Sequence, residues 1–238
     1  MSPIVHKLRK YYRVIRYLPN IIYLNLKLLP FRQAVRLPIF IYKPKFGQLS
    51  GGVILDMPKD EIKPGIIRLG EPQVNLYPNT GCMIDLRGTI KFRGMCNIGN
   101  NSFISVGESG EIEFGKDFVC YSSLKMACYS SIKFGDHVLV GWDCLFIDSD
   151  FHALTLPDGS KAKGYSPIVV GNEVWFGTGC KVLKRTIVPN QCVVAANTVL
   201  ASKIEAPERS VIGNNDTICI KGQGLYRDYN NDKILYFD

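Results

Sequence analysis

From about residue 90 onward, the apolar positions of the chain recur every six residues. Aliphatic or small side chains stand at Ile90, Cys96 and Ser102, at Ile112, Phe118 and Leu124, and at Ile132, Val138 and Cys144. After an interruption the series resumes with Ile168, Val174 and Cys180, then Ile187, Val193 and Val199. Glycine often stands three residues after the apolar one, as at Gly135 and Gly171, and Asp136 or Asn172 follows it. Six is the period of neither a helix nor a simple strand. It suits a solenoid in which each short strand is followed by a tight turn, three such units closing a coil of about 18 residues. Each apolar residue then points into a narrow prism and stacks on its equivalent one coil away, about 4.8 Å along the axis. Glycine and asparagine serve the turns, where they tolerate positive φ. Cys96, Cys144 and Cys180 fall at inward positions and act there as small hydrophobes. A sandwich of short strands explains alternation, but not a six-residue period sustained over five coils.

The first 45 residues are patterned differently. Ser2 and Pro3 form a helix start. Ile4, Val5, Leu8, Tyr11, Tyr12, Ile15 and Leu18 follow at helical spacing, with Lys7, Arg9, Lys10, Arg13 and Arg16 between them. Pro19 is expected to end this helix. A second apolar stretch runs from Ile21 to Leu29 and stops at Pro30. It contains Asn25 and Lys27 and is far shorter than the ~20 apolar residues needed to cross a bilayer.

Charge sharpens the division. Residues 1–45 hold ten Lys or Arg and no acidic residue, whereas the remainder carries 19 basic and 21 acidic residues. A near-neutral body with a basic arm is not a general nucleic-acid binder. The arm has two readings: it packs against the body or a neighbouring subunit, or residues 1–30 rest on an anionic membrane surface. Composition, 46% hydrophobic and 21% charged, is that of a globular protein. The eight cysteines form no CxxC pair, so neither a disulfide framework nor a zinc site is expected. No small-residue cleavage site follows an apolar core, so the expected compartment is the cytoplasm. The expected organisation is a helical arm over 1–45, a solenoid over 46–215 and a strand-like, aromatic-rich tail over 216–238.

The rhythm breaks once, between Cys144 and Ile168. The surplus is a loop over 148–167 that carries Asp148, Asp150 and His152, with Pro157-Asp158-Gly159 as a turn. A loop leaving a rigid prism can cover a neighbouring subunit's groove and hold one titratable base over it. Histidine suits that task, because a side chain with an ordinary pKa of about 6.5 can accept a proton near neutral pH. His137 sits in a Gly-Asp-His turn and is read as a solvated turn residue; His6 lies in the arm.

The repeat resembles that of the hexapeptide-repeat acyltransferases over roughly residues 65–215. The match is densest at IVVGNEVWFGTGCKVLKRTIVPNQCVVAANTVL, 168–200, which is similar to galactoside and maltose O-acetyltransferases. DSDFH, 148–152, resembles the loop motif of capsular and exopolysaccharide O-acetyltransferases. The resemblance implies an all-β, left-handed parallel β-helix that assembles as a homotrimer with active sites between subunits. It implies acetyl-CoA as co-substrate, with no permanently bound cofactor and no metal, and direct transfer without an acyl-enzyme. On that pattern His152 removes the acceptor's proton, while Asp148 or Asp150 orients the imidazole or binds an acceptor hydroxyl. The Thr178 amide meets the thioester oxygen. Trp175, Gly177, Gly179, Ala195 and Ala196 line the pantetheine groove, and Lys203 lies near the nucleotide phosphates. Where galactoside-type enzymes hold the sugar with Asn and Asp, this chain offers Tyr121, Ser123, Tyr129 and Asp143. The expected activity is O-acetylation of a saccharide or polysaccharide precursor, in the cytoplasm or peripherally at the inner membrane face. N-acetylation of an amino sugar or nucleotide-sugar uses the same base and groove, and a non-catalytic solenoid is a third reading. A zinc carbonic anhydrase on this solenoid needs three converging histidines, and outside the arm only His137 and His152 remain.

Overall fold

The computed structural model describes residues 3–73, 76–152, 155, 157–158, 160, 162–214, 218–223 and 230. Short strands stack into three sheets that form the faces of a triangular prism. Face one runs from Ile39–Ile41 through Cys96–Gly99, Phe118–Cys120 and Trp175–Phe176 to Ser210–Asn214. Face two includes Lys45–Leu49, Lys125–Cys128, Leu145–Ile147 and Lys181–Leu183. Face three includes Gly52–Leu55, Ser131–Phe134, Ile168–Val170 and Ile187–Val188. Within each face the strands pair in parallel, and the chain visits the faces in turn. This is the expected left-handed parallel β-helix of hexapeptide repeats with an N-terminal helical arm.

The hexad positions from Ile90 to Cys180 point inward as their spacing requires; in the last coil the expected series is one residue out, with Ile187 and Val199 exposed and Thr186, Cys192 and Thr198 buried in the inward places. Ile90, Ile112, Ile132 and Ile168 pair in sequence along face three and are all buried. Beside them, Phe92, Phe114 and Phe134 stack with ring centroids 5.3 and 5.5 Å apart. Each such buried side chain contributes about 1.5–3 kcal/mol. Ser102 is a polar residue at an inward position: its hydroxyl donates to the Gly99 carbonyl at 2.8 Å and accepts the Leu124 amide at 3.2 Å. The Asp and Asn of the Gly-Asx turns form a ladder at the corner between faces three and one. Asp136 accepts the Lys116 amide, Asn172 accepts that of Asp136, and Asn190 accepts that of Asn172, at 2.8–2.9 Å. His137 occupies the left-handed position of this corner, with Glu173 and Gln191 as its counterparts. Its Nδ1 lies 3.3 Å from Asp117.

Two features depart from the sequence expectation. Helix α1 spans Pro3–Leu28 without a break at Pro19. Proline removes the amide that would bond the Ile15 carbonyl, but both residues lie on the exposed side, where water can serve that carbonyl. On the other side Ile21, Leu24 and Leu28 are buried against the prism, and this packing holds the helix together. The prism itself begins at Ile39, inside the stretch assigned to the arm, and five of its strands precede residue 90. Asn25, fully buried on α1, joins the two parts. Its Nδ2 donates to the Ile39 carbonyl at 2.7 Å and its Oδ1 accepts the Ile39 amide at 3.1 Å, covering the first strand's open edge. At the far end, Ile218–Gln223 pairs antiparallel with Ser210–Asn214; residues 224–229 and 231–238 of the expected tail lie outside the described residues. Among the described residues, no helix is long and apolar enough to cross a membrane.

Candidate active site

The break in the hexad rhythm is an insertion into an otherwise continuous coil. Trp175 faces Val193, 18 residues on, whereas Leu139 faces Trp175, 36 residues on; the surplus is the loop. It leaves the corner between faces two and three, and Asp148 fixes its root. The Asp148 carboxylate is fully buried and accepts the amides of Tyr129, Ser130 and Ser131, each at 2.7 Å. The Cys128 thiol lies 3.4 Å from the same group. This carboxylate is therefore committed to backbone one coil back. It is not available to an acceptor or to an imidazole, which corrects its assignment to the catalytic set.

Beyond the root the two arms of the loop run together. Ser149 bridges Tyr165 in antiparallel fashion, and the Asp150 amide donates to the Gly164 carbonyl at 2.7 Å. The Asp150 carboxylate pairs with Lys184 of the next coil. Among the described residues, no hydrogen bond joins either aspartate to His152. His152 follows Phe151, whose φ is +57°, and its side chain is exposed. It lines a cleft of about 250 Å³ with Tyr129, Phe151 and Tyr165. The rings of Tyr129 and Tyr165 are 5.1 Å apart, and Lys163 Nζ lies 4.8 Å from the Tyr165 ring centroid. Residues 153, 154, 156, 159 and 161 of the expected loop lie outside the described residues.

The residues expected on the donor side, Lys203 apart, gather at a different corner, between faces one and two. Trp175 points outward from its strand and is exposed, and Gly177, Thr178 and Gly179 form the turn that follows. Thr178 Oγ1 donates to the Trp142 carbonyl at 2.9 Å, and so does the Gly179 amide at 2.8 Å. Ala195 and Ala196 repeat the turn one coil on. Among the described residues, the amides of Thr178 and Ala196 donate to no acceptor. The two free donors thus lie about 4.8 Å apart along the axis. Gly177 makes this stacking possible, since a Cβ there would stand 2.7 Å from the Ala196 nitrogen. Lys203 is not part of this group: it bridges Ile187 on face three and pairs with Glu205 at 2.8 Å.

The expected acceptor residues divide between the two corners. Tyr129 stands with His152. Tyr121 packs on Trp142 with ring centroids 5.8 Å apart, at the donor corner. There Asp143 accepts the Tyr77 hydroxyl, and buried Ser123 accepts the Asn101 side-chain amide at 2.9 Å. So one protomer carries His152 on one edge of the prism and the free amides on another, with the strand Lys181–Leu183 between them.

None of the seven cysteines whose side chains are described offers a nucleophile. All are buried. Burial alone pushes the Cys82 thiol up to about 12, and it is the main cause of the upward shifts at Cys96 and Cys120.

No protein-family model matches the chain. Its sequence is 27% identical over 159 residues to WbbJ of Escherichia coli (strain K12), named as a lipopolysaccharide-biosynthesis O-acetyltransferase; the match covers 66% of this chain and 72% of the relative. The chain is thus similar in sequence to an acetyltransferase of lipopolysaccharide biosynthesis. Solved structures similar to part of it include the hexapeptide-repeat acetyltransferase VCA0836 of Vibrio cholerae, 21% identical over 53% of this chain and 69% of the other, with a TM-score of 0.45. The polySia-specific acetyltransferase NeuO is 12% identical over 77% of this chain and 81% of its own, with a TM-score of 0.44.

The structure adds residues that the sequence pattern does not single out. Tyr165 completes the aromatic wall opposite Tyr129, and its position near the end of the surplus loop is the only sequence signal for it. Lys184 tethers the loop through Asp150. The pair is partly exposed, and such pairs contribute about 0–1 kcal/mol. Lys184→Ala is expected to leave the melting temperature unchanged and to lower kcat/KM about two- to fivefold, measurable by steady-state kinetics.

Proposed function

We propose that the chain transfers acetyl from acetyl-CoA to a hydroxyl of a saccharide or polysaccharide precursor. Two features support this reading together: a histidine presented on a stem whose root is pinned by Asp148, and a donor corner with two unused amides. The Tyr129 and Tyr165 rings hold the sugar against His152 by apolar contact and hydroxyl hydrogen bonds. The His152 imidazole takes the hydroxyl proton as the oxygen attacks the thioester carbonyl. Negative charge builds on the carbonyl oxygen and is met by the Thr178 amide, while the Ala196 amide engages the pantetheine arm. The carbon–sulfur bond breaks, and coenzyme A leaves as a thiol carrying the proton returned by the imidazolium. Of the two loop aspartates, Asp150, through Lys184, steadies the stem, and Asp148 holds its root.

Because base and amides lie on different edges of one prism, the complete site forms between protomers, each loop covering the donor corner of a neighbour in a homotrimer. Lys203 approaches the coenzyme's phosphates from the subunit opposite the one that supplies Thr178. The enzyme works in the cytoplasm, at or near the inner membrane face. The test is to incubate purified protein with acetyl-CoA and a panel of oligosaccharides and nucleotide-sugars and to follow free thiol. Thiol release that depends on a saccharide, with acetyl recovered as an ester, is the expected result. Release with no saccharide dependence, or acetyl recovered only as an amide, overturns the proposal.

A further inference from the structure

Away from this site, a cavity of about 300 Å³ lies between α1 and the first coils, lined by Arg13, Arg16, Tyr17, Tyr42, Lys43 and Asn79 among others. It carries three cationic side chains and no carboxylate. Among the described residues, neither Arg13 nor Arg16 forms an ion pair. Lys43 Nζ is anchored by the Asn79 carbonyl at 2.6 Å, in a residue held at φ +43°. Arg16 Cζ lies over the Tyr17 ring, 5.7 Å from its centroid. Tyr17 in turn meets Tyr42 edge-on at 6.3 Å. Tyr42 lines the same cavity. Its side chain is 2% exposed, yet its hydroxyl has no hydrogen-bond partner among the described residues. A buried hydroxyl without a partner is costly to retain. Burial, then the nearby Glu71, raises its pKa to about 12, so it remains a neutral donor. Glu71 itself is taken by Arg68 through contacts of 3.1 and 3.2 Å.

We propose that this cavity binds a phosphate or diphosphate ester group, held by the Arg13 and Arg16 forks and Lys43, with the Tyr42 hydroxyl as an added donor. Guanidinium groups match phosphate oxygens in pairs. The cavity lies at the small end of ligand pockets, suited to the phosphoryl group more than to a whole nucleotide-sugar. Tyr42 belongs to the first coil and the His152 loop leaves the fifth, about 19 Å along the axis at the spacing of strands; this is a separate site, and it stands whether or not the acetyl-transfer reading does. Two sources could present such a group: a soluble diphosphate, or a lipid headgroup reached while the exposed Ile15, Ile22 and Leu26 of the same helix meet the apolar layer.

The full-length protein is titrated calorimetrically with inorganic pyrophosphate. Separately, it is sedimented with phosphatidylcholine vesicles, with and without phosphatidylglycerol. The variants are Arg13→Ser/Arg16→Ser, Tyr42→Phe, and the charge-matched control Lys27→Ser/Arg32→Ser outside the cavity. The double cavity variant is expected to weaken binding at least about tenfold and Tyr42→Phe severalfold. Tyr42→Phe keeps the ring and should not lower the melting temperature, so lost binding cannot be put down to misfolding. The control should retain binding. Cavity-dependent binding of pyrophosphate identifies a soluble source; cavity-dependent binding of anionic vesicles alone identifies a lipid one. Equal losses in the cavity variant and the control, or no effect of the cavity residues on either probe, overturns the proposal.

Discussion

A His152→Ala protein is expected to fold and assemble as the wild type does while transferring acetyl at least about a hundredfold more slowly, the lower end of what a positioned general base contributes. The side chain is exposed in its cleft and makes no hydrogen bond among the described residues, so its removal takes nothing from the prism. Surface substitutions of this kind change stability by no more than about 0.5 kcal/mol. Thermal unfolding and sedimentation of the variant should therefore overlay those of the wild type while thiol release collapses. The seven cysteines whose side chains are described are all buried and cannot substitute as nucleophiles. A variant that retains wild-type turnover would leave the loop as a structural insertion and end the catalytic assignment. Because the base and the Thr178 amide stand on different edges, the loss should appear in kcat, with acetyl-CoA binding nearly unchanged.

How far the sequence reached can be judged residue by residue. The inward positions from Ile90 to Cys180 were legible because the strides between paired strands there are short and nearly regular, as from Ile90 to Ile112 and from Ile112 to Ile132. Past Cys180 the turn at residues 184 and 185 hides a one-residue slip, and Ile187 and Val199 face outward. The first two coils were not. Ile39 pairs with Ile67, and Ile67 with Cys96. These strides contain long turns that carry no hexad, so the period dissolves although the faces continue. Pro19 misled because propensity is a local term, while the burial of Ile21, Leu24 and Leu28 against the prism is a tertiary one. The loop and its histidine were visible as a break in rhythm. Their division from the donor turn onto separate edges was not, because a one-dimensional spacing does not say which corner a turn occupies. Tyr129 and Tyr121, eight residues apart, illustrate this: one stands with His152 and the other with Trp142.

Asp148 shows best what spacing alone conceals, and it carries the second large prediction. Within DSDFH it reads as a partner for the histidine. In the structure its carboxylate accepts three amides, those of Tyr129, Ser130 and Ser131, from a turn nearly twenty residues earlier. Two terms compete in Asp148→Ala. Removing the carboxylate relieves the penalty of burying a charge. It also leaves three donors buried without an acceptor, each at about 1–3 kcal/mol. The second term prevails because the turn cannot open to water without breaking the pairing of Ser131–Phe134 with its neighbours on face three. A net loss of about 3 kcal/mol or more is expected, which for a chain of this size lowers the melting temperature by about 6–12 °C. Asp148→Asn should fall between, since its amide keeps one acceptor oxygen and turns an N–H toward the same donors. Circular dichroism melts measure the shift. Hydrogen exchange at residues 129–131 should accelerate in step, and activity assayed well below the melt should fall because His152 loses the fixed root of its stem. An unchanged melting temperature in Asp148→Ala would mean that water already serves those amides, and the loop would then have to be held by its other contacts, Asp150 with Lys184 foremost.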